Sequence, residues 1–138
     1  MEFGVSQRER ERGLRAVEWS LSYLTIGGLS FLVAIILERL VMGLEGYLLT
    51  TEIYSLHGFS HIFFGIGLAS LILFLRPRST PRIVILAVLV AGIAWELHEG
   101  SWLRGEPIDS LEDVTLAILS ASTFLCFIRR KEREGSPT

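Results

Sequence analysis

Cysteine, proline and net charge are all scarce in this 138-residue chain, and each shortage removes a class of protein. The single cysteine, Cys126, forms no internal disulfide and matches no metal motif built on paired thiolates, which excludes a disulfide scaffold and a zinc finger. Only four prolines in a half-apolar composition exclude a disordered chain. The charges nearly cancel, 13 Lys+Arg against 15 Asp+Glu, so no basic field exists to hold nucleic acid. A Gly-x-Ser-x-Gly nucleophile elbow is also missing, and Ser60, Ser70 and Ser101 read as hydroxyls bonded to helix backbone. What is present is a mean hydropathy of +0.48 and a block arrangement: four long apolar runs with the arginines between or outside them. The bilayer is the solvent that such a partition suits.

A helix needs roughly 20 apolar residues to cross about 30 Å of hydrocarbon. Residues 19–42, 56–75, 82–103 and 110–128 satisfy that requirement and leave too little chain for a separate soluble domain, so residues 1–138 read as one membrane domain. Eleven of the 13 cations lie in the amino-terminal segment (Arg8, Arg10, Arg12, Arg15), the second loop (Arg76, Arg78, Arg82) and the tail that opens Arg129-Arg130-Lys131. The positive-inside rule then puts both termini in the cytoplasm of a multi-pass cell-membrane protein. The apolar stretch before Glu38 is longer than a signal-peptide core and shows no small-residue cleavage site, so it is expected to stay as a signal anchor behind a short charged helix on the membrane surface. Trp19 and Tyr23 at the inner boundary, and Tyr47, Tyr54 and Trp102 at the outer, fall where aromatic belts form.

Small residues mark the expected contact faces: Gly27, Gly28 and Ser30, then Gly58 and Gly65, Ala87 and Ala91, and Ala117 and Ala121. With short loops forcing sequential helices to be antiparallel neighbours, the predicted fold is all-α, a polytopic four-helix up-down transmembrane bundle.

Ionisable residues inside a span are costly, about 2.5 to 3.5 kcal/mol each on insertion scales, and are functional or paired where they occur. Here they are frequent. The second span opens His57-Gly58-Phe59-Ser60-His61, the third carries Trp95-Glu96-Leu97-His98-Glu99, the fourth opens with Asp109 and Asp113, and the first adds Glu38-Arg39. His57 and His61, four residues apart, share a helix face, as do Asp109 and Asp113, while Glu96 and Glu99 lie about 60° apart and His98 points to the opposite side. In an up-down bundle all seven of these groups other than His98 and Arg39 reach one depth, within roughly 10 Å of the outer boundary.

Two imidazoles among several carboxylates form a ligand set for Zn²⁺, Mn²⁺ or Fe²⁺, which accept mixed nitrogen and oxygen donors. His57, His61, Glu99, Asp109 and Asp113 are the candidate metal ligands, and Glu96 and Glu99 the candidate catalytic carboxylates. Glu38 and Arg39 are candidate substrate-binding residues, with Arg39 either receiving an anionic head group or pairing with a carboxylate such as Glu99. The Glu-x-x-His signature of four-helix di-metal proteins is replaced by Glu96-x-x-Glu99, which gives a di-iron oxygenase little support, and a mononuclear or binuclear hydrolytic site fits as well. The same residues also fit a protonated, water-filled polar network or a lattice of ion pairs such as His57 with Asp113. Cys126, near the far end of the last span, reads as a small apolar packing residue.

The order His61-Ile62-Phe63-Phe64-Gly65, Trp95-Glu96-Leu97-His98-Glu99, then Asp109 and Asp113 leading into a small-residue helix resembles the YjdF-like membrane proteins over residues 54–125, and more distantly the VanZ-like family. Against the VanZ-like pattern, His57 takes an Asp position, Glu99 a Gln position and Ala117 an Asn position, so the YjdF-like match is the nearer. The resemblance implies a shared polar site at His61, Glu96, Glu99, Asp109 and Asp113 and brings no reaction with it.

Three functions are compatible with these readings. A hydrolase dependent on a divalent metal (Zn, Mn or Fe) would act on a lipid or lipid-linked head group at the outer leaflet. A small transporter or proton-linked permease would need a polar path inward, which the apolar inner halves lack unless a homo-oligomer interface supplies it. A non-enzymatic assembly subunit would use the polar cluster to fix helix packing. The partners implied are the lipid bilayer and such a substrate, with no nucleic acid.

Overall fold

A computed structural model describes residues 7–44, 50–99 and 107–134, all of them helical apart from the turn at 76–80. The four helices are α1 (Gln7–Leu44), α2 (Thr50–Leu75), α3 (Pro81–Glu99) and α4 (Pro107–Glu134). Each contains a stretch long and apolar enough to cross a membrane: Ala16–Val41, His57–Leu75, Pro81–His98 and Ser110–Lys131. These overlap the four expected spans. The 100–103 end of the third, with Tyr47 and Trp102 of the expected aromatic belt, lies outside the described residues, as does the side chain of Tyr54.

Local chemistry explains the helix ends. The turn after α2 closes through Ser79 N–H donating to the Arg76 carbonyl at 2.9 Å, and Val84 N–H to the Thr80 carbonyl at 3.1 Å starts α3. Pro81 and Pro107 stand at the first positions of their helices, where the missing N–H costs no bond and the fixed φ is already helical. The charged amino-terminal segment is not a separate surface helix. Alternating Arg and Glu from Arg8 to Arg15 are good helix formers, and α1 runs without a break from Gln7, so its 38 residues outreach the hydrocarbon thickness.

Helix α2 lies at the centre. It packs along α1 and α4, and α3 packs on α4 and more lightly on α2, while the backbones of α1 and α3, and of α1 and α4, do not approach each other among the described residues. Chain order therefore does not set every neighbour: α4, not α3, is the main partner of α2 on its second side. The outward faces of the other three helices are apolar, with Leu29, Leu32 and Ile36 of α1, Leu86 and Val90 of α3, and Leu119 and Phe127 of α4 exposed. Such a surface suits hydrocarbon rather than water. Cys126 is exposed on α4 and does not pack inside.

The packed core occupies the half of the bundle nearest the 76–80 turn: Tyr23, Ala69, Leu73, Val84, Val88, Ala117, Ala121, Leu125 and Ile128. Tyr23 is thus a core residue and not part of an interfacial belt; it is 5% exposed, its carbonyl accepts a 2.7 Å bond from Ser70 Oγ, and Trp19 is the ring that remains at the surface. Ser70 is backbone-bonded as expected, but to α1 and not to its own helix.

Small residues set the close approaches. Gly27 faces the backbone of Gly67 across α1 and α2, and a Cβ on Gly65 would run into the backbone of Ala117 and the hydroxyl of Ser120 on α4. Gly28 faces open space and takes no part in packing. Gly65→Ala is therefore expected to push α2 from α4 and lower stability by about 1 to 3 kcal/mol, while Gly28→Ala leaves it unchanged or raises it. Unfolding by denaturing detergent in mixed micelles measures both.

Candidate metal centre

Depth comes first. Glu38 lies three residues from one end of its span, His61 four, Glu96 two and Asp113 three, and in an antiparallel bundle these ends coincide. At 1.5 Å per residue every one is within about 6 Å of the same boundary. All four helices bring an ionisable group to this level.

The side chains converge on one point. His57 Nε2 lies 3.2 Å and His61 Nε2 3.4 Å from the same oxygen, Asp113 Oδ2, and the two Nε2 atoms are 3.3 Å apart. The i, i+4 spacing on α2 makes this possible by placing the imidazoles one above the other, with ring centroids 4.7 Å apart and nearly perpendicular. Donor atoms of His61, Glu96 and Asp113 also lie within 4.8 Å of one another, as do those of Glu38, His57 and His61. The two sets share His61.

Glu38 and Ser60 support the centre from outside. His57 Nδ1 donates to Glu38 Oε1 at 3.1 Å, and the Ser60 hydroxyl lies against both that carboxylate and the His57 carbonyl, the latter at 2.7 Å. Ser60 is thus more than the backbone-bonded hydroxyl its sequence context suggests; nothing in its spacing revealed the contact with Glu38, because the neighbour comes from another helix. Burial runs from one side to the other. The side chains of His61 and Asp113 are 8% and 10% exposed, those of Glu38 and His57 23% and 29%, and Glu96 is enclosed at 2%.

The electrostatics of the triangle follow from the tautomer. With its Nδ1 proton given to Glu38, a neutral His57 turns the lone pair of Nε2 toward Asp113 Oδ2 and His61 Nε2. Lone pairs facing each other at 3.2–3.4 Å repel unless a proton or a metal ion sits among them. The Nε2 proton of a neutral His61, a second proton on His57 or a metal ion would each serve.

Of the residues expected to form the site, the structure brings together His57, His61, Asp113, Glu96 and Glu38. Glu99 and Asp109 belong to α3 and α4, but their side chains lie outside the described ones. Arg39 is exposed beside the cluster and has no carboxylate within ion-pair distance among the described side chains. His98 is exposed and outside both donor sets, as its helix position implies. Trp95 adds what the sequence did not disclose, since it lines a cleft with His61 and not only the surface beside His98.

No protein-family profile matches the chain, and comparison with curated proteins and with solved structures likewise gives no match. The site is therefore read from its own geometry. Ser60→Ala removes the hydroxyl that braces the Glu38 carboxylate, and a stability loss of about 1 to 3 kcal/mol is expected from detergent-denaturation curves; an unchanged midpoint would show that the brace carries no weight.

Proposed function

We propose that the cluster is a divalent-metal centre and that the protein is a metal-dependent membrane hydrolase acting on lipid or lipid-linked head groups at the outer face. The observation that carries this reading is the triangle of Asp113 Oδ2, His57 Nε2 and His61 Nε2, with sides of 3.2, 3.3 and 3.4 Å. Ligand atoms about 2.0–2.1 Å from a tetrahedral zinc lie roughly 3.3–3.4 Å from one another, whereas charge-assisted hydrogen bonds close to about 2.7–2.9 Å. The sides match one face of such a tetrahedron.

In this reading His57, His61 and Asp113 are ligands, and Glu96 stands as the fourth or as the base beside it. Glu38 holds the ring of His57 through Nδ1, the carboxylate–histidine arrangement common around bound metals. A divalent ion held there would lower the pKa of a water and polarise a carbonyl or phosphoryl oxygen. Glu99 and Asp109 would complete the acidic surroundings. The outer-face assignment follows the arginine distribution, and the YjdF-like resemblance is consistent with a polar site in these positions.

A protonated polar network is the second reading, favoured by the direct His57–Asp113 and His57–Glu38 contacts. The transport reading is less well supported, because the half of the bundle beyond the site is packed with apolar side chains. Protein purified in detergent without chelator is expected to carry about one zinc, manganese or iron per chain. His61→Ala and Asp113→Asn are expected to lose it, and Glu38→Gln to weaken it about 10- to 100-fold. Elemental analysis with a chelator titration measures this, and wild-type protein free of all three metals would leave only the protonated network.

A further inference from the structure

A cleft of about 490 Å³ runs beside the cluster, in the gap where α1 and α3 do not meet, and α2 forms its floor. Its volume is in the range of small-molecule sites. One end is polar, with Glu38, Arg39, Ser60 and His61; the rest is walled by Phe31, Ala34, Ile35, Phe64 and Trp95. The rings continue across the floor from α1 to α3: Phe31 meets Phe64 edge-on at 5.8 Å, and Phe64 meets Trp95 at 6.2 Å.

Orientation gives the cleft its meaning. Along α1, Phe31 lies eight residues from Arg39, about 12 Å deeper toward the middle of the span. Along α2, Phe64 lies about 6 Å deeper than Ser60. The apolar part therefore points toward the bilayer midplane and the polar part toward the boundary, the same order in which a lipid of that leaflet stands. The rim is open to the side, since Ile35 and Trp95 are 58% and 42% exposed.

Charge selects the head group. The polar end of the cleft carries one carboxylate, Glu38, and one guanidinium, Arg39, and the carboxylates of Glu96 and Asp113 stand beside His61 behind it, so acid outweighs base and the cleft alone repels an anion. A divalent ion in the centre balances those three negative charges together with Arg39. A phosphate oxygen then finds a cation and a guanidinium within one polar pocket, the combination that suits phosphate best.

We propose that this cleft admits, sideways from the bilayer, one hydrocarbon chain of a phosphate-bearing lipid, whose head reaches the metal centre and Arg39. The proposal rests on the metal reading above and names the ligand class and its route. The chain lies along Phe31, Ile35 and Phe64, and Trp95 closes the side nearest α3.

Quenching of Trp95 tests it, in full-length protein carrying Trp19→Phe and Trp102→Phe, reconstituted in phosphatidylcholine nanodiscs with a minor fraction of acyl-brominated lipid. With zinc bound, brominated phosphatidic acid is expected to quench Trp95 several-fold more than the same fraction of brominated phosphatidylcholine. Chelation, Arg39→Gln and the cleft-filling Ile35→Trp (read by loss of excess lipid binding in a spin-labelled phosphatidic acid assay) should each abolish that preference. Elemental analysis of the same samples separates the two levels of inference: equal quenching by both lipids with zinc retained overturns the lipid assignment and leaves the metal centre standing, whereas loss of zinc from the wild type removes the basis of both. A preference that survives chelation and Arg39→Gln also overturns it. Inorganic phosphate is the soluble arm: if it protects bound zinc from chelator equally in wild type and Ile35→Trp, the ligand is free phosphate and not a lipid.

Discussion

One carboxylate oxygen organises the polar half of this bundle. Asp113 Oδ2 on α4 is approached by two imidazole nitrogens from α2, while Glu38 on α1 holds one of those rings and Glu96 on α3 sits beside the other. Each of these groups alone in hydrocarbon costs a few kcal/mol, comparable with a large share of the stability of a small domain. Brought together they satisfy one another, and that condition can be met only when all four helices stand in one register. The polar cluster and the helix packing are thus the same constraint seen from two ends of the molecule.

The opposite half is built on another principle. Without a hydrophobic drive between helices in lipid, close packing supplies the association, and the contacts of Gly27 with Gly67 and of Gly65 with Ala117 bring backbones near enough for it. Ser70 bonding to the Tyr23 carbonyl adds one directional tie between α1 and α2. Gly27 and Gly67 meet well away from the cluster, whereas Gly65 and Ala117 lie one helical turn from His61 and Asp113, so on the α2–α4 face the close packing and the polar contacts hold the same register.

Much of this was legible in the sequence, for definite reasons. Apolar length and arginine placement reveal spans because a bilayer has a fixed thickness, and the four predicted stretches overlap the four helices. The i, i+4 pair His57 and His61 has its meaning within one helix, so its shared face was readable. Contacts between helices were not. Nothing in the periodicity of Glu38 says that it brackets His57 with Ser60, and nothing at Tyr23 distinguishes a belt aromatic from a core one, because both occur near the end of a span. Sequential helices are neighbours as expected, but the extensive α2–α4 contact was not readable for the same reason: short loops say which helices follow one another, while small residues on the faces of α2 set how closely each one approaches.

The one-sided attachment of α1 follows from the same geometry. In a square bundle α1 would close against α4 or α3, its outer turns would cover the cluster, and the aromatic floor at Phe64 would be sealed. Here α1 is held by one interface, where Gly27 and Ser30 approach Gly67 and Ser70. Its remaining surface, from Leu29 to Leu40, is left to the surrounding apolar medium. The cleft is what remains between this one-sided helix and α3. The opening reaches His61 and Glu38, and it leaves these two groups accessible from the side while Glu96 stays enclosed, which weakens the gain in mutual attraction that full burial would bring. The small residues Gly27 and Ser30 on a single face of α1 keep it firmly attached to α2 while leaving its other faces without a helix partner among the described residues, and that is why the cleft stays open.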